Sequence, residues 1–191
     1  MCNTTETGNQ DAGGQMLQTE VDCIVKVKRE AMVSAYLTDA LLILMREKKY
    51  RDISITGICK KAGVTRMSFY RNYESKEDIL KKWIASVTED FLEESGISYK
   101  NDSSRDYFVK LFTHLQRYRE ISVALYRADL IHLVREQFDK VFLRLHADEY
   151  DPYKSYFLSG GIYNVFLLWL MNGCAETPEE LAERMEGLLT K

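Results

Sequence analysis

The chain has 191 residues, of which 46% are hydrophobic and only two are proline, and these values predict a globular protein with one large core or two small ones. Four widely spaced cysteines without a CxxC pair argue for reduced thiols in the cytoplasm and against a zinc site. The formal net charge of -3 argues by itself against a nucleic-acid partner, and the longest apolar run, residues 156–171, is shorter than the roughly 20 residues that a membrane-spanning helix needs.

The amino-terminal part of the chain divides into a polar tail and a long helix. Residues 1–22 are polar, acidic and without hydrophobic periodicity, so we expect them to form a disordered tail. Over residues 26–47, apolar side chains recur every three or four positions, as on the buried face of an amphipathic helix. The residues of this face are Leu37, Ala40, Leu41, Leu44 and Met45.

Two short helices joined by a tight turn are predicted next, within residues 53–80. The first ends at Gly63, because glycine can take the positive φ that terminates a helix. Thr65 can cap the second helix, in which Phe69 and Tyr73 are four residues apart and face inward. The side chains of this second helix that face outward are Arg66, Met67, Ser68, Tyr70 and Asn72. This arrangement predicts a helix-turn-helix, whose second helix fits the DNA major groove.

Basic residues are concentrated in the same segment. Residues 46–82 contain 11 Lys and Arg against 5 Asp and Glu, whereas the parts of the chain on either side are net acidic. Contacts to phosphates supply most of the sequence-independent affinity for DNA, so the positive charge lies where a DNA-binding element needs it. The alternative is a solvated basic helix face.

The segment also resembles the DNA-binding region of the tetracycline-repressor (TetR) family. The residues that carry the resemblance are Gly63-Val64-Thr65, Phe69-Tyr70, Tyr73 and Ser75-Lys76-Glu77. Three positions depart from the family pattern. Cys59 replaces a small alanine, Asn72 replaces a tyrosine or histidine, and Glu74 replaces a proline or basic residue. Glu74 weakens the local attraction to phosphate.

Nine residues of the segment are predicted to contact DNA. Those near the amino ends of the two helices, where hydroxyl and N–H groups bind phosphates, are Ser54, Thr56 and Thr65. Arg66 is the best candidate for a bidentate contact to guanine, with Met67 and Ser68 beside it in the groove. The residues that the resemblance places at a base edge or the DNA backbone are Tyr70, Asn72 and Lys76. The alternatives are a half-buried ring for Tyr70 and a solvated helix start for Lys76.

The remainder of the chain predicts further helices. Capping signals open a helix at 76–94 and others after Ser103, Asp151 and Thr177. We therefore predict an all-α fold of about nine helices, without strands. The expected organisation is a three-helix helix-turn-helix domain at 23–75 and a helical effector-binding and dimerisation domain at 76–191, connected by the helix at 76–94.

The helix predicted at 153–172 is apolar almost all round. Such a helix must be buried on every side, so we expect one face to pack on a second copy of the chain. This helix and the next resemble the last two helices of many TetR-family regulators, whose subunits pair as a four-helix bundle. The expected interface residues are Gly160, Tyr163, Leu167, Leu181, Met185 and Leu188. The alternative is a helix buried wholly within one subunit.

Seventeen of the 22 aromatic residues lie from Trp83 onward. Aromatic-lined cavities between helices are common sites for small molecules, and the resemblance implies a cavity whose occupant changes the separation of two recognition helices. The candidate lining residues are Phe91, Tyr107, Phe108, Phe112, Tyr126, Phe138, Phe142, Tyr156 and Trp169. The alternative for each of them is ordinary packing in the core.

These patterns predict a homodimeric transcription regulator, most simply a repressor that an apolar or aromatic small molecule releases from a palindromic operator in duplex DNA. An alternative of the same class has no effector and acts through a protein partner or as an activator. No catalytic residue, cofactor or metal ligand is predicted, because the sequence has no P-loop, Gly-rich dinucleotide turn, GxSxG motif or metal-ligand spacing. An enzyme would have to use dispersed residues, such as His114 with Asp106.

Overall fold

The structure is a computed structural model that describes residues 11–96, 103–145 and 151–189. Within these ranges the chain forms nine α-helices, one short 3-10 helix at Tyr50–Asp52 and no strand, which confirms the predicted all-α fold. The α-helices are α1 (Asp11–Glu47), α2 (Ile55–Ala62), α3 (Arg66–Asn72), α4 (Lys76–Ser95), α5 (Ser104–Arg117), α6 (Arg119–Arg127), α7 (His132–Leu145), α8 (Pro152–Met171) and α9 (Pro178–Leu189).

The first helix is longer than the sequence predicts. The pattern indicates a helix over 26–47 after a disordered tail, but α1 begins at Asp11. Residues 11–22 are therefore helical, and the rest of the expected tail lies outside the described residues. The physical reason is that the buried stretch from Leu37 to Met45 nucleates the helix, after which each added residue gains a hydrogen bond without a new nucleus. Hydrophobic periodicity predicts only helices with a buried apolar face, so it gives no signal for residues 11–22.

The helices α1, α2 and α3 pack together into a compact head. The fully buried side chains at its centre are Leu37, Leu41, Ile58 and Phe69. Directly after α3, the Tyr73 hydroxyl forms a hydrogen bond with the Ser34 hydroxyl and lies 3.4 Å from Thr38 Oγ1. These contacts hold the carboxyl end of α3 against α1.

Local capping determines where most helices begin and end. The side chains that accept a hydrogen bond from a backbone N–H at a helix start are Ser54, Thr65, Ser75, Ser103 and Asp151. Gly63 and Gly96 follow α2 and α4 in the left-handed conformation, with φ of 67° and 55°. The observed ends of α4 and α8 lie within one residue of the predicted ones.

The connecting helix α4 leads from the head to a body formed by α5 to α9. In the body, α5 packs along α9 and α7 packs along α8. Two ion pairs join the head and α4 to the body. Arg144 of α7 donates from both terminal nitrogens to the Glu89 carboxylate at 2.9 and 3.0 Å, and Arg46 of α1 lies 3.3 Å from Glu120 of α6.

No helix in the described ranges is both long enough and apolar enough to cross a membrane. The same residues contain no group of three or more His, Cys, Asp or Glu placed to hold a metal ion. Cys59 and Cys174 are free thiols, and burial raises the pKa of each. A raised pKa keeps a thiol protonated at neutral pH, which disfavours thiolate chemistry.

Candidate functional site

The turn between α2 and α3 is fixed by backbone hydrogen bonds and one glycine. The Ser54 hydroxyl accepts from the Gly57 N–H at 3.1 Å and so caps the start of α2. At the other end, Gly63 is left-handed and the Val64 N–H donates to the Cys59 carbonyl at 3.0 Å, which is the Schellman way of ending a helix. Three residues then separate the two helices, as in a helix-turn-helix.

The helix α3 has one buried and one exposed face. Phe69 is fully buried in the head, and the Thr65 hydroxyl caps the helix by accepting from the Ser68 N–H at 3.1 Å. On the outer part of the helix, Met67 and Tyr70 are 74% and 53% exposed. Large apolar groups that are this exposed on one short helix indicate a surface that contacts a partner.

Arg66 is exposed at the first position of α3. Its Nη2 atom donates to the Tyr70 hydroxyl at 3.4 Å, and its guanidinium carbon lies 5.8 Å from the centroid of the Tyr70 ring. The bond to Tyr70 raises the pKa of Arg66. Among the side chains that the structure describes, no carboxylate pairs with Arg66. The guanidinium therefore keeps most of its planar donor groups available, and such a fork matches the O6 and N7 atoms of guanine.

Asn72, one of the departures from the family pattern, is half-buried at the end of α3. Its Nδ2 atom donates to the backbone carbonyl of Ser68 at 2.7 Å, and the backbone carbonyl of Asn72 accepts from Lys82 Nζ at 2.9 Å. Lys82 thus satisfies a carbonyl that the end of the helix leaves without an intrahelical partner. The side chain of Asn72 retains Oδ1 and one N–H for the predicted contact to DNA.

Lys76 is held within the head. Its Nζ atom donates to the carbonyls of Tyr50 and Ile53 at 2.7 and 2.9 Å, and lies 4.1 Å from the Tyr50 ring centroid. Burial, with a smaller effect of Glu77, raises the pKa of Tyr50 to about 12. An ammonium has three donors, so only one of those on Lys76 remains for the predicted contact with the DNA backbone. The alternative of a freely solvated helix start does not hold for this lysine.

The predicted DNA contacts divide into exposed and half-buried side chains. The exposed ones are Ser54, Thr56, Thr65, Arg66, Met67 and Tyr70, and the half-buried ones are Ser68, Asn72 and Lys76. The hydroxyls of Thr65 and Ser68 lie 3.0 Å apart, so these two side chains form one polar group at the start of α3.

A cleft between α1 and α3 reveals a basic residue that the sequence analysis missed. Arg29 and Val33 of α1 border it on one side, and Thr65 and Arg71 border it on the other. Both arginines are exposed, and neither has an ion-pair partner among the side chains that the structure describes. A signal was present in the sequence, because Arg29, Val33 and Leu37 follow one another at the spacing of four that marks one helix face.

A second feature is a cavity of about 100 Å³ bounded by α4, α5, α6 and α7, with Ile162 of α8 in its wall. Its aromatic lining residues are Trp83, Phe91, Tyr107, Tyr118, Phe138 and Phe142. The other polar residues of the lining are Thr88, His114, Ser122 and Gln137. None of the described residues that line it is Asp, Glu, Lys or Arg.

His114 lies between two aromatic rings of the cavity wall. Its ring centroid is 4.4 Å from that of Phe91 and 5.1 Å from that of Tyr118. Burial, together with the nearby charge of Arg117, lowers the pKa of His114 to about 4, and Asp90 opposes this shift. The imidazole is therefore neutral at pH 7, with one nitrogen that donates and one that accepts.

The predicted pocket residues separate into two groups in the structure. Those that line the cavity are Phe91, Tyr107, Phe138 and Phe142. Those that do not line it are Phe108, Phe112, Trp169, Tyr126 and Tyr156. The first three are buried elsewhere in the body, where the Phe112 and Trp169 rings meet edge to face at 5.5 Å and Trp169 Nε1 donates to the Glu176 carbonyl at 3.0 Å. Tyr126 and Tyr156 are exposed, so the pocket prediction is wrong for these five residues.

One face of α8 is apolar and uncovered. We call it the α8 stripe and define it as Tyr153, Phe157, Leu168 and Met171, which are 87%, 79%, 61% and 62% exposed. Gly161 and Asn164 are exposed between them, so the spacing is three or four residues throughout. Side chains at this spacing share one face of a helix.

The predicted interface residues mostly lie elsewhere. Tyr163, Leu181 and Met185 are buried within the chain, and a Cβ atom on Gly160 would lie 3.4 Å from Nη2 of Arg135 in α7. Tyr163, Leu181 and Met185 pack inside the body, so the prediction is wrong for these three. Of the remaining positions, Gly160 and Leu167 are half-buried and Leu188 is exposed. Because α8 is apolar all round, its sequence does not show which side faces α7.

Two family models match the chain. The model described as "Bacterial regulatory proteins, tetR family" matches residues 37–82, which include α2 and α3. The model described as "Transcriptional regulator C-terminal region" matches residues 102–191, which include α5 to α9. The uncharacterized HTH-type transcriptional regulator YxbF of Bacillus subtilis (strain 168) is 25% identical over 185 residues, covering 92% of this chain and 48% of that protein. The chain thus spans about half the length of this curated relative.

Two solved structures share the fold. A TetR transcriptional regulator from Streptococcus agalactiae 2603V matches with a TM-score of 0.59 and 22% identity, over 85% of this chain and 96% of that one. The fatty acid degradation regulator FadR from Bacillus halodurans matches with a TM-score of 0.52 and 16% identity, over 82% and 93% of the two chains. With the helix-turn-helix and the family matches at both ends of the chain, this protein belongs to the TetR family of transcriptional regulators and carries its DNA-binding helix-turn-helix domain.

Proposed function

We propose that this regulator binds a palindromic operator as a homodimer, represses transcription there, and is released when a small molecule occupies the cavity. The observation that carries the proposal is the exposed surface of α3, where Arg66, Met67 and Tyr70 face outward while Phe69 is buried, in the most basic segment of the chain. A helix presented in this way after a turn of a few residues enters the major groove. In the proposed complex, Arg66 contacts a guanine and the start of α3 holds a phosphate.

The α8 stripe is the proposed contact between the two subunits. Several large apolar side chains exposed along one helix face indicate a contact with a partner, and a two-fold axis covers the same face on both copies at once. Leu188 of α9 is exposed as well, so α8 and α9 together supply two helices to a four-helix contact. The two α3 helices then read half-sites about 34–36 Å apart, or a multiple of that distance.

The effector role rests on the position of the cavity beside α4. Trp83 and Ile84 of this helix line the cavity, and Lys76 at its start is bonded to the head. A molecule that packs against α4 shifts the head only if it binds the two arrangements of the protein with different affinity. Release of DNA by the ligand is therefore measured as the difference between the DNA-binding constants of the protein with and without the ligand.

Selection of bound duplexes from a random pool tests the proposal. We expect a palindromic consensus, and an affinity for it that falls linearly with salt concentration on logarithmic axes. Arg66→Ala should weaken binding to the selected duplex about 5- to 150-fold, with a smaller effect on unrelated DNA, because one bidentate base contact discriminates by about 1–3 kcal/mol. The matched control is Arg105→Ala, an exposed arginine of α5 outside the head. A selection that enriches no common sequence contradicts the proposal.

A further inference from the structure

We propose that the cavity binds an uncharged aromatic alcohol of about the size of one ring, of which phenol is the simplest, and that Ser122 forms a hydrogen bond with the hydroxyl of this ligand. The inference specifies the class of molecule that the effector site takes, so it rests on the proposed function. Four properties of the cavity lead to this ligand class: its volume, its aromatic walls, its lack of charge and its polar groups.

The volume limits the size of the ligand. The cavity measures about 100 Å³, and an engineered apolar cavity of roughly 150 Å³ is known to bind benzene. The cavity is smaller than that one, so a single ring with one small substituent is the upper limit of size, and its binding requires a small outward movement of the walls. Long acyl chains and fused polycyclic molecules exceed it.

The walls favour an aromatic ring. The Trp83 and Tyr118 rings meet edge to face at 5.7 Å, and the Phe91 and His114 rings lie 4.4 Å apart at 34°. Tyr107, Phe138 and Phe142 complete the aromatic part of the lining. A ring placed among such groups can make further edge-to-face and offset contacts, which are worth more than its buried area alone.

The absence of charge excludes ionic ligands. No Asp, Glu, Lys or Arg lines the cavity among the described residues, and burial of an ion without a counter-charge is strongly unfavourable. His114 does not supply a charge, because burial lowers its pKa to about 4. Aromatic carboxylates and ammonium compounds of the same size are therefore rejected.

Ser122 supplies the specific polar contact. It is only 6% exposed and lines the cavity, and its hydroxyl has no hydrogen-bond partner among the described residues. A buried hydroxyl without a partner is unfavourable, so a ligand that donates to it or accepts from it removes this cost. Two further polar side chains of the lining, His114 and Gln137, also have no hydrogen-bond partner within the described ranges.

Calorimetric titration of the full chain with matched single-ring probes tests the inference. At pH 7 we expect phenol to bind at least tenfold more tightly than benzoate or benzylammonium, and several-fold more tightly than toluene, which lacks the hydroxyl. Ser122→Ala should weaken the binding of phenol about five- to tenfold and leave that of toluene unchanged. The matched control is Ser155→Ala. Ser155 of α8 is also buried but lies outside the cavity lining, so this variant should bind phenol and toluene with the affinities of the parent protein.

Three results would overturn the inference: no binding of phenol, equal binding of phenol and benzoate, or the same affinity for phenol in the parent protein and the Ser122→Ala variant. Release of the selected duplex is measured separately. If phenol binds through Ser122 but does not release DNA, the ligand class stands and the proposed effector role fails. If the protein binds its selected duplex but not phenol, the ligand class fails and the DNA-binding role stands.

Discussion

Replacement of Lys76 by methionine keeps the length of the side chain and removes its ammonium group. The structure gives that group two hydrogen bonds, of 2.7 and 2.9 Å, to the carbonyls of Tyr50 and Ile53. Hydrogen bonds to a charged group contribute about 1.5–3 kcal/mol each. Burial lowers the pKa of Lys76, with Asp52 opposing, which shows that desolvation removes part of this gain. We therefore expect a net loss of about 2 kcal/mol in the free energy of unfolding, which for a chain of this size lowers the melting temperature by about 4–8 °C.

Thermal and urea unfolding followed by circular dichroism measures this change. The matched control is Lys81→Met, one turn further along α4, where the ammonium lies 3.0 Å from Glu77 in an exposed pair. Exposed pairs contribute little, so this variant should stay within about 0.5 kcal/mol of the parent protein. The reasoning is refuted if Lys76→Met melts at the same temperature as the parent protein while the logarithmic salt slope of its DNA binding falls by about one unit. That result would assign Lys76 to a phosphate instead of to the head.

Three further predictions concern the stripe, the cavity and the cleft. Phe157→Glu places a charge in the α8 stripe and should convert the dimer to a monomer in size-exclusion chromatography with light scattering, whereas Tyr126→Glu, at an exposed position outside the stripe, should leave the dimer intact. His114 has a folded-state pKa of about 4 against an ordinary value of 6.5, so the unfolded chain takes up the proton first and stability falls as the pH decreases from about 6.5 to 4. We expect the loss in the free energy of unfolding to be about 1–2 kcal/mol, after allowance for the solvent-exposed part of the ring. Urea unfolding of His114→Phe over the same pH range should not show this loss. If the variant keeps the pH dependence of the parent protein, His114 is not its source. Arg29→Ala should lower the logarithmic salt slope of DNA binding by about one unit, and an unaltered slope places Arg29 away from the phosphates.

The helix-turn-helix was predictable because its signals are local. The conformation of Gly63 and the cap at Thr65 involve residues within a few positions of one another, and they appear in the structure as the sequence indicates. The burial of Phe69 and the exposure of Tyr70 agree with the faces that the sequence predicts for this helix. Local sequence patterns therefore predicted the exposed surface of α3 that carries Arg66, without information on the tertiary fold.

The contacts of Lys76, the cavity and the interface depend on which helices pack together. The apolar character of α8 and α9 predicts that residues such as Tyr163 and Met185 are buried, but it does not distinguish burial inside one chain from burial against a second. The number of aromatic residues likewise does not separate Phe142, which lines the cavity, from Phe112, which packs on Trp169. These distinctions arise from the pairing of α5 with α9 and of α7 with α8, for which the sequence contains no local signal.

In the proposed mechanism, the helix α4 is the element that links the ligand site to the DNA site. Lys76 binds the head at its start, Trp83 lines the cavity in its middle, and Glu89 holds Arg144 of α7 by two hydrogen bonds further on. From Lys76 to Glu89 the helix rises about 20 Å, so a small rotation about the cavity is enlarged at the head. The Glu89–Arg144 pair is exposed and adds little stability, but its bidentate geometry fixes α7 to α4. In the proposed mechanism, a ligand that changes the distance between α5 and α7 therefore acts on α4 against a fixed point at the Glu89–Arg144 pair, and the head responds at the other end of α4.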